Sequence, residues 1–376
     1  MPYGTVNADL MTTSDGVSSS GLYGFKNRII NGAMTISQRG STNVTAAGGN
    51  IYVAADRFCM FNYFGSGQIN TATSTSVVPS GYSNSLSLTV NTAVPLSGTT
   101  GYLVNVAQTI EGFNIADCYN QSITLSFWVR SSITGTYTVS FYNASNAGAT
   151  SATRWYNATY TINSANTWEQ KTITVSLSAG TASGTWLSDN GVGLNIAWGL
   201  GAESVRKGNT YLNTWGTVGT TYDFQVSSQT QWASTAGATF YITGVQLEKG
   251  SVATSFDYRP YGTELALCQR YFWKVGGTAA YEQIAMGLVD ATTQVSCITS
   301  FPVAMRAAPS VGYSSASAFN VNDAASQAST TAVAIYQPGL QTTGITVTSS
   351  GLNVGRAARF FIGNSTSAYI NFSAEL

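Results

Sequence analysis

Ile123-Thr-Leu-Ser-Phe-Trp-Val129 alternates strictly: Ile123, Leu125, Phe127 and Val129 fall on one side of an extended chain, and Thr124, Ser126 and Trp128 on the other. Successive side chains of a β-strand point to opposite faces, so a period of two marks a half-buried strand rather than a helix stripe. The same alternation returns at Leu86–Val90, Tyr137–Phe141, Ile173–Leu177, Leu194–Leu200 and Thr239–Leu247, with turns rich in Gly, Ser and Asn between them. Many short strands of this kind need a second sheet to cover their apolar faces. The pattern therefore predicts an all-β chain built on a jelly-roll-like sandwich.

The rest of the chain is divided around that sandwich. Residues 1–24 are polar, show no sustained period, and read as an N-terminal arm or attachment segment. Neither a heptad nor a collagen repeat is present, so no long shaft is encoded. The sandwich is assigned to residues 25–260. At Arg259-Pro-Tyr-Gly262 the texture changes, and Thr263 is expected to cap a short helical connector over Glu264–Phe272, with Leu265, Cys268 and Phe272 on one side. Residues 261–376 read as a smaller C-terminal β domain, with strands near Ile284–Val289, Gln294–Ser300, Ala332–Tyr336, Gly344–Thr348, Arg359–Ile362 and Ala368–Phe372. So small and loop-rich a domain would gain the burial it lacks by oligomerising.

Charge narrows the partners. Asp, Glu, Lys and Arg make up 9% of the 376 residues, against about 25% in an average domain. The 16 basic and 16 acidic residues balance, so nothing favours nucleic acid or an anionic membrane. No stretch approaches the roughly 18 apolar residues of a membrane helix, and Met1–Leu10 lacks the basic start and apolar run of a signal peptide. A surface of Ser, Thr, Asn, Gln, Gly and Tyr suits neutral sugars; it equally resists proteases on an exposed particle. Cys59, Cys118, Cys268 and Cys297 lie far apart without a C-x-x-C pair, which removes zinc and thioredoxin-like readings and leaves their pairing open.

Catalytic chemistry is tested by elimination. The chain has no histidine, so Ser-His-Asp and Cys-His catalysis and His-ligated metals are out. No P-loop is present, and no dinucleotide fingerprint. A glycosidase needs only two carboxylates. Glu111, Asp117, Asp189, Glu203 and Asp223 are candidates, but no spacing singles out a pair, and loop or ion-pair roles suffice for each. No enzyme and no cofactor are expected.

Aromatics remain, because a ring stacked on a sugar face among amides and hydroxyls makes a binding site. Trp198 is in phase with Leu194 and Ile196 and is assigned to the core. Trp186 and Trp215 lie among Gly, Ser, Asn and Thr, where loops are expected. In the C-terminal domain Tyr313, Phe319 and Tyr336 neighbour Asn322, Asp323 and Gln337. These are the receptor candidates, with core packing the alternative for each. Asn-x-Ser/Thr sequons such as Asn157-Ala-Thr159 read as a product of composition.

Several phrases in order carry a family resemblance. Gly24-Phe-Lys-Asn-Arg-Ile-Ile-Asn-Gly-Ala-Met34, Ile36-Ser-Gln-Arg-Gly40 and Ala55-Asp-Arg-Phe58 resemble the opening of a large family of phage tail-fibre and related virion proteins, with Phe58 where that family carries Trp. Ile110-Glu-Gly112 and Leu125–Val129 look like its middle strands. Phe240–Gly250 with Ala253–Pro260 looks like its closing strand and exit, and Glu264–Tyr271 is its most specific phrase. Phe301–Pro309 and Ile370–Leu376 resemble its C-terminal domains. The resemblance implies a sandwich similar to carbohydrate-binding modules, a virion location, a non-enzymatic adhesive role and a homotrimer. In such sandwiches an acidic residue near Glu248 can hold a structural calcium, but only one oxygen donor is evident here, and an exposed turn carboxylate beside Lys249 is expected. The arm would then tether the chain to a virion tail or baseplate protein, the chain's far end would project toward the host, and the C-terminal domain would read a bacterial surface polysaccharide. A structural virion fibre without a receptor, in the neck, whisker or capsid, is the first rival; a glycan-depolymerising tailspike is the second.

Overall fold

The computed structural model describes residues 25–45, 48–143, 153–178, 184–219 and 222–376, so the 1–24 arm lies outside the described residues. The chain divides into two compact units, one running to Tyr261 and including Leu376, the other Gly262–Glu375.

The first unit is built from β1 (Thr42–Thr45), β2 (Gly48–Tyr52), β3 (Phe58–Tyr63), β4 (Gln68–Ser74), β5 (Ser85–Thr92), β6 (Leu103–Glu111), β7 (Ser122–Ser131), β8 (Gly135–Tyr142), β9 (Arg154–Ile162), β10 (Glu169–Ser176), β11 (Val192–Ala202), β12 (Gly216–Thr217) and β13 (Thr239–Lys249). They form two sheets, ordered β1-β4-β5-β13-β7-β10 and β12-β9-β8-β11-β6-β3-β2. Alternation explains the sandwich. Leu86 and Leu88 of β5, Leu125 and Phe127 of β7 and Ile242 of β13 share a core with Val104 and Val106 of β6, Val139 of β8 and Leu194, Ile196 and Trp198 of β11. Trp198 is fully buried, its ring 5.7 Å from Phe127 and 6.4 Å from Phe58.

One expectation is corrected by tertiary packing. A period of two predicts a wet outer face, yet every residue of β6 and β11 is buried. The segment after β11 folds back over that face, where Tyr211, Val218 and Phe224 pack with Cys59, Phe61, Tyr142 and Trp155 into a second core. The Gln225 carboxamide secures it, donating to Val104 O at 3.1 Å and Asn105 Oδ1 at 2.7 Å.

The start and the exit of the sandwich are clasped together. Arg28 N donates to Leu247 O at 2.8 Å and Val245 N to Gly32 O at 2.9 Å, so the opening segment runs beside β13. Asp257 Oδ2 accepts from Lys26 N and Asn27 N, and Arg259 Nη1 donates to Ile29 O. The chain therefore enters and leaves the sandwich at adjoining places.

The second unit opens with α1 (Tyr261–Gln269). Thr263 lies inside this helix rather than at its cap, because Pro260, with φ already helical and no N–H to satisfy, precedes the first turn. The helix also ends before Phe272, which pairs with Ser373 instead; its buried positions are Glu264 and Cys268. Then come β14 (Phe272–Gly276), β15 (Gln283–Ala291), β16 (Gln294–Ser300), β17 (Ser310–Tyr313), β18 (Phe319–Asn322), β19 (Gln327–Ser329), β20 (Ala332–Tyr336), β21 (Thr342–Thr348), β22 (Ala357–Ile362) and β23 (Tyr369–Ser373). A three-stranded sheet, β14-β23-β17, packs on a seven-stranded one, β19-β18-β22-β15-β16-β21-β20. Ile370 and Phe372 meet Val289, Val295, Cys297, Val347 and Phe360 in the core between them. All four cysteines are buried. No helix among the described residues is long and apolar enough to cross a membrane.

Candidate functional site

The strongest concentration of half-buried rings lies at one edge of the sandwich, where β9 and β12 end one sheet and β10 ends the other. Tyr119 stands just before β7, Tyr156 on β9, Trp186 in the stretch leading to β11 and Trp215 just before β12. The Tyr119 and Trp186 rings stack, centroids 5.3 Å apart at 19°. Trp186 meets Trp215 edge-on at 5.3 Å and 89°, and Trp215 meets Tyr156 at 5.3 Å. Offset and edge-on contacts of this kind stabilise beyond the area they bury.

Polar groups pin the rings. Trp215 Nε1 donates to Ser176 O at 2.6 Å, and the Tyr119 hydroxyl donates to Leu187 O. The Arg154 guanidinium sits 5.0 Å from the Trp186 centroid and donates to Gly184 O, while Asn143 Nδ2 donates to Thr185 O at 2.9 Å. Burial pushes the Tyr119 phenol up to about 12 and draws the Arg154 pKa down, since both charged forms lose water here. Trp186 Nε1 is buried and has no hydrogen-bond acceptor among the described residues.

Beside the cluster is an exposed ring. Phe113 is 62% exposed and Leu187 40%. Phe113 N donates to Asp189 O at 2.9 Å, which ties the Phe113 turn to the Trp186 segment, and Asp189 Oδ1 accepts from Gly191 N. Phe113 and Leu187 thus present open apolar side chains on two turns joined through Asp189. Phe113, Tyr119, Tyr156 and Arg154 escape sequence reasoning because the turns that gather them are distant in the chain. The one local signal is the Glu-Gly-Phe-Asn turn at the end of β6.

The C-terminal candidates do not converge in the same way. Phe319 is fully buried, packed 5.4 Å from Phe360, so it is core and not a receptor contact. Asp323 is also buried. It accepts from Ser326 N at 2.7 Å, Ala325 N at 3.0 Å, and Asn353 N and Nδ2 at 2.8 and 2.9 Å, which holds its pKa well below the usual carboxylate range. That carboxylate organises two loops. Tyr336 lies half-buried with its ring across Gly344, where any side chain would collide with it. Tyr313 is exposed, edge-on to Phe319, and Asn322 is half-buried with its Oδ1 accepting from Ala324 N.

Glu248 is corrected too. It is buried, and its oxygens accept from Thr254 N, Thr254 Oγ1 and Gln246 Nε2. It closes the turn after β13 and is not the exposed turn carboxylate expected; no group of three or more His, Cys, Asp or Glu that could hold a metal occurs among the described residues. The remaining carboxylates also serve loops. Asp117 pairs with Arg28 at 2.8 Å, Glu203 accepts from Gly101 N and Tyr102 N, and Asp223 accepts from Thr210 N and Oγ1. Asn157, in a sequon, is fully buried and bonded to Ser140 and Trp155.

No protein-family model and no curated protein matches the chain. Among solved structures it is similar to the enzymatically active domain of tailspike protein 4 of bacteriophage CBA120, with 16% identity over 60% of this chain and 21% of that chain, at a TM-score of 0.30. It is similar to the CBM22-2 xylan-binding domain of Paenibacillus barcinonensis Xyn10C, with 12% identity over 51% of this chain and 91% of that chain, at a TM-score of 0.29. It is also similar to the family 11 carbohydrate-binding module of Clostridium thermocellum in complex with a β-1,3-1,4-mixed-linked tetrasaccharide, with 11% identity over 57% of this chain and 98% of that chain, at a TM-score of 0.27.

Proposed function

We propose that the chain is a non-enzymatic adhesive subunit of a phage virion, a tail-fibre-type protein that binds a neutral glycan on the host surface. The observation that carries this reading is the ring cluster at the sandwich edge, with Phe113 and Leu187 exposed on the turns beside it. The charge-poor, hydroxyl- and amide-rich composition and the sequence resemblance support it. In this reading the subunits form a homotrimer, and the 1–24 arm binds a tail or baseplate protein.

The receptor site belongs to the sandwich rather than the C-terminal unit. The burial of Phe319 and Asp323 in the C-terminal unit and the gathering of rings at the sandwich edge support this placement. The test is adhesion to host cells. Phe113 is exposed, so Phe113→Ala should fold normally and weaken adhesion roughly tenfold, the order of a single interface hot spot. Full adhesion by Phe113→Ala and also by Trp186→Ala would refute the site. No binding to cells by the unaltered protein would favour the structural rival, and release of reducing ends from host polysaccharide would favour the tailspike.

A further inference from the structure

The seven-stranded sheet of the second unit leaves the middle of one face open. Three strands, β14, β23 and β17, pack on its inner face. Its outer face is apolar at the centre. Met286 is 67% exposed, Ile298 66% and Leu288 51%. Pairing puts them together: Met286 lies opposite Ile298, Ile298 opposite Gly344 and Gly344 opposite Tyr336, a row across β15, β16, β21 and β20. Gly344 has no side chain, so the Tyr336 ring lies across that strand and extends the row. Leu288, two residues from Met286, adds an exposed aliphatic side chain beside it, in a row that continues through Ser296 and Thr346 to Ala334. Isolated exposed aliphatics are ordinary on a protein surface, whereas a contiguous set marks a contact.

We infer that this outer face packs against another copy of the same chain. The inference rests on the assembly part of the proposed function and names the surface that makes it. Size is the first argument. Seven strands about 4.8 Å apart, each about six residues long at about 3.4 Å per residue, make a face of roughly 700 Å². That is close to the roughly 800 Å² each partner gives a stable protein interface. Charge is the second. Across the seven strands the charged side chains are Arg359 and Asp290, of opposite sign, so two copies meet without net repulsion. The Asp290 carboxylate is already held by Ser296 Oγ at 2.6 Å and Gln294 Nε2 at 3.0 Å, and Arg359 lies opposite Met286 at the end of the apolar row. Chemistry is the third. Met, Leu and Ile offer nothing to the hydroxyls of a sugar, and a copy of the same face matches them.

The test is the mass of the full chain by sedimentation velocity, alone and with Met286→Asp or Ile298→Asp. Both positions are open, so the variants should keep the parent's circular dichroism and melting midpoint. The unaltered chain should sediment as a multiple of 39.5 kDa, and each variant should fall to the monomer mass. A chain that assembles, and whose two folded variants stay assembled, would overturn this inference and leave the assembly reading standing. A monomeric unaltered chain would overturn both. Loss of secondary structure in one variant passes the decision to the other, and Leu288→Asp serves if both are lost.

Discussion

Glu169 and Phe319 mark the two limits of reading single residues. Glu169 opens β10 after a polar turn, and nothing in its sequence neighbourhood sets it apart. In the fold, desolvation would raise its pKa. The Lys171 ammonium at 2.6 Å, with Asn163 N, Ser164 N and Asn163 Nδ2 at 2.8 to 2.9 Å, outweighs that and brings the carboxyl down to about 2. A depressed carboxyl pKa adds stability that is present above its unfolded value of about 4.5 and is lost as pH falls through about 2. The unaltered chain should therefore melt above Glu169→Gln at neutral pH, with the gap closing between pH 4.5 and 2; thermal melts across that range measure it, and a gap that persists at pH 2 would show another cause. The effect should be modest, since this turn is at the surface. Phe319 shows the opposite limit. Polar neighbours made it look like a loop ring, yet it sits in the core between two sheets, and only its pairing with Ile362 reveals that. Trp198 was readable because its phase with Leu194 and Ile196 is a local fact.

Strands that follow a period of two are found where the alternation placed them, and the differences occur where a neighbour intervenes. Phe272 has a helical spacing with Leu265 and Cys268, but Ser373, distant in sequence, recruits it into β14. The opening phrase Asn27-Arg-Ile-Ile-Asn-Gly32 has no strand alternation, yet it docks beside β13. Gly32 is required there by close approach: a Cβ would lie 2.1 Å from Val245 O, a backbone atom that cannot rotate away. Gly32→Ala should thus push the opening segment off β13 and cost about 1–3 kcal/mol, the range for forced overpacking. Urea unfolding measures this, and an unchanged midpoint would mean the segment relaxes without loss. The physical content of that motif is a backbone contact, which periodicity cannot express.

At the scale of the whole molecule, the clasp of Lys26 and Asn27 with Asp257 closes the sandwich as a unit that ends at Tyr261. A chain ending at Tyr261 should keep the ring cluster and bind host cells, with reduced avidity. The Gly262–Leu376 piece should assemble through β15 and β16 and fail to bind. Flow cytometry with labelled pieces reads both, and binding confined to the second piece would return the site to the C-terminal unit. The sequence by itself determined the all-β class, the core role of Trp198 and the absence of histidine chemistry, because alternation, phase and composition are properties of adjacent residues. Tertiary structure alone decided that β6 and β11 are buried on both faces, that Asp323 and Glu248 serve loops, and that Phe113, Tyr119, Trp186 and Trp215 share one edge. Those facts depend on which distant segments cover a face or meet at a turn, and such contacts are set by the packing of two sheets rather than by any local pattern.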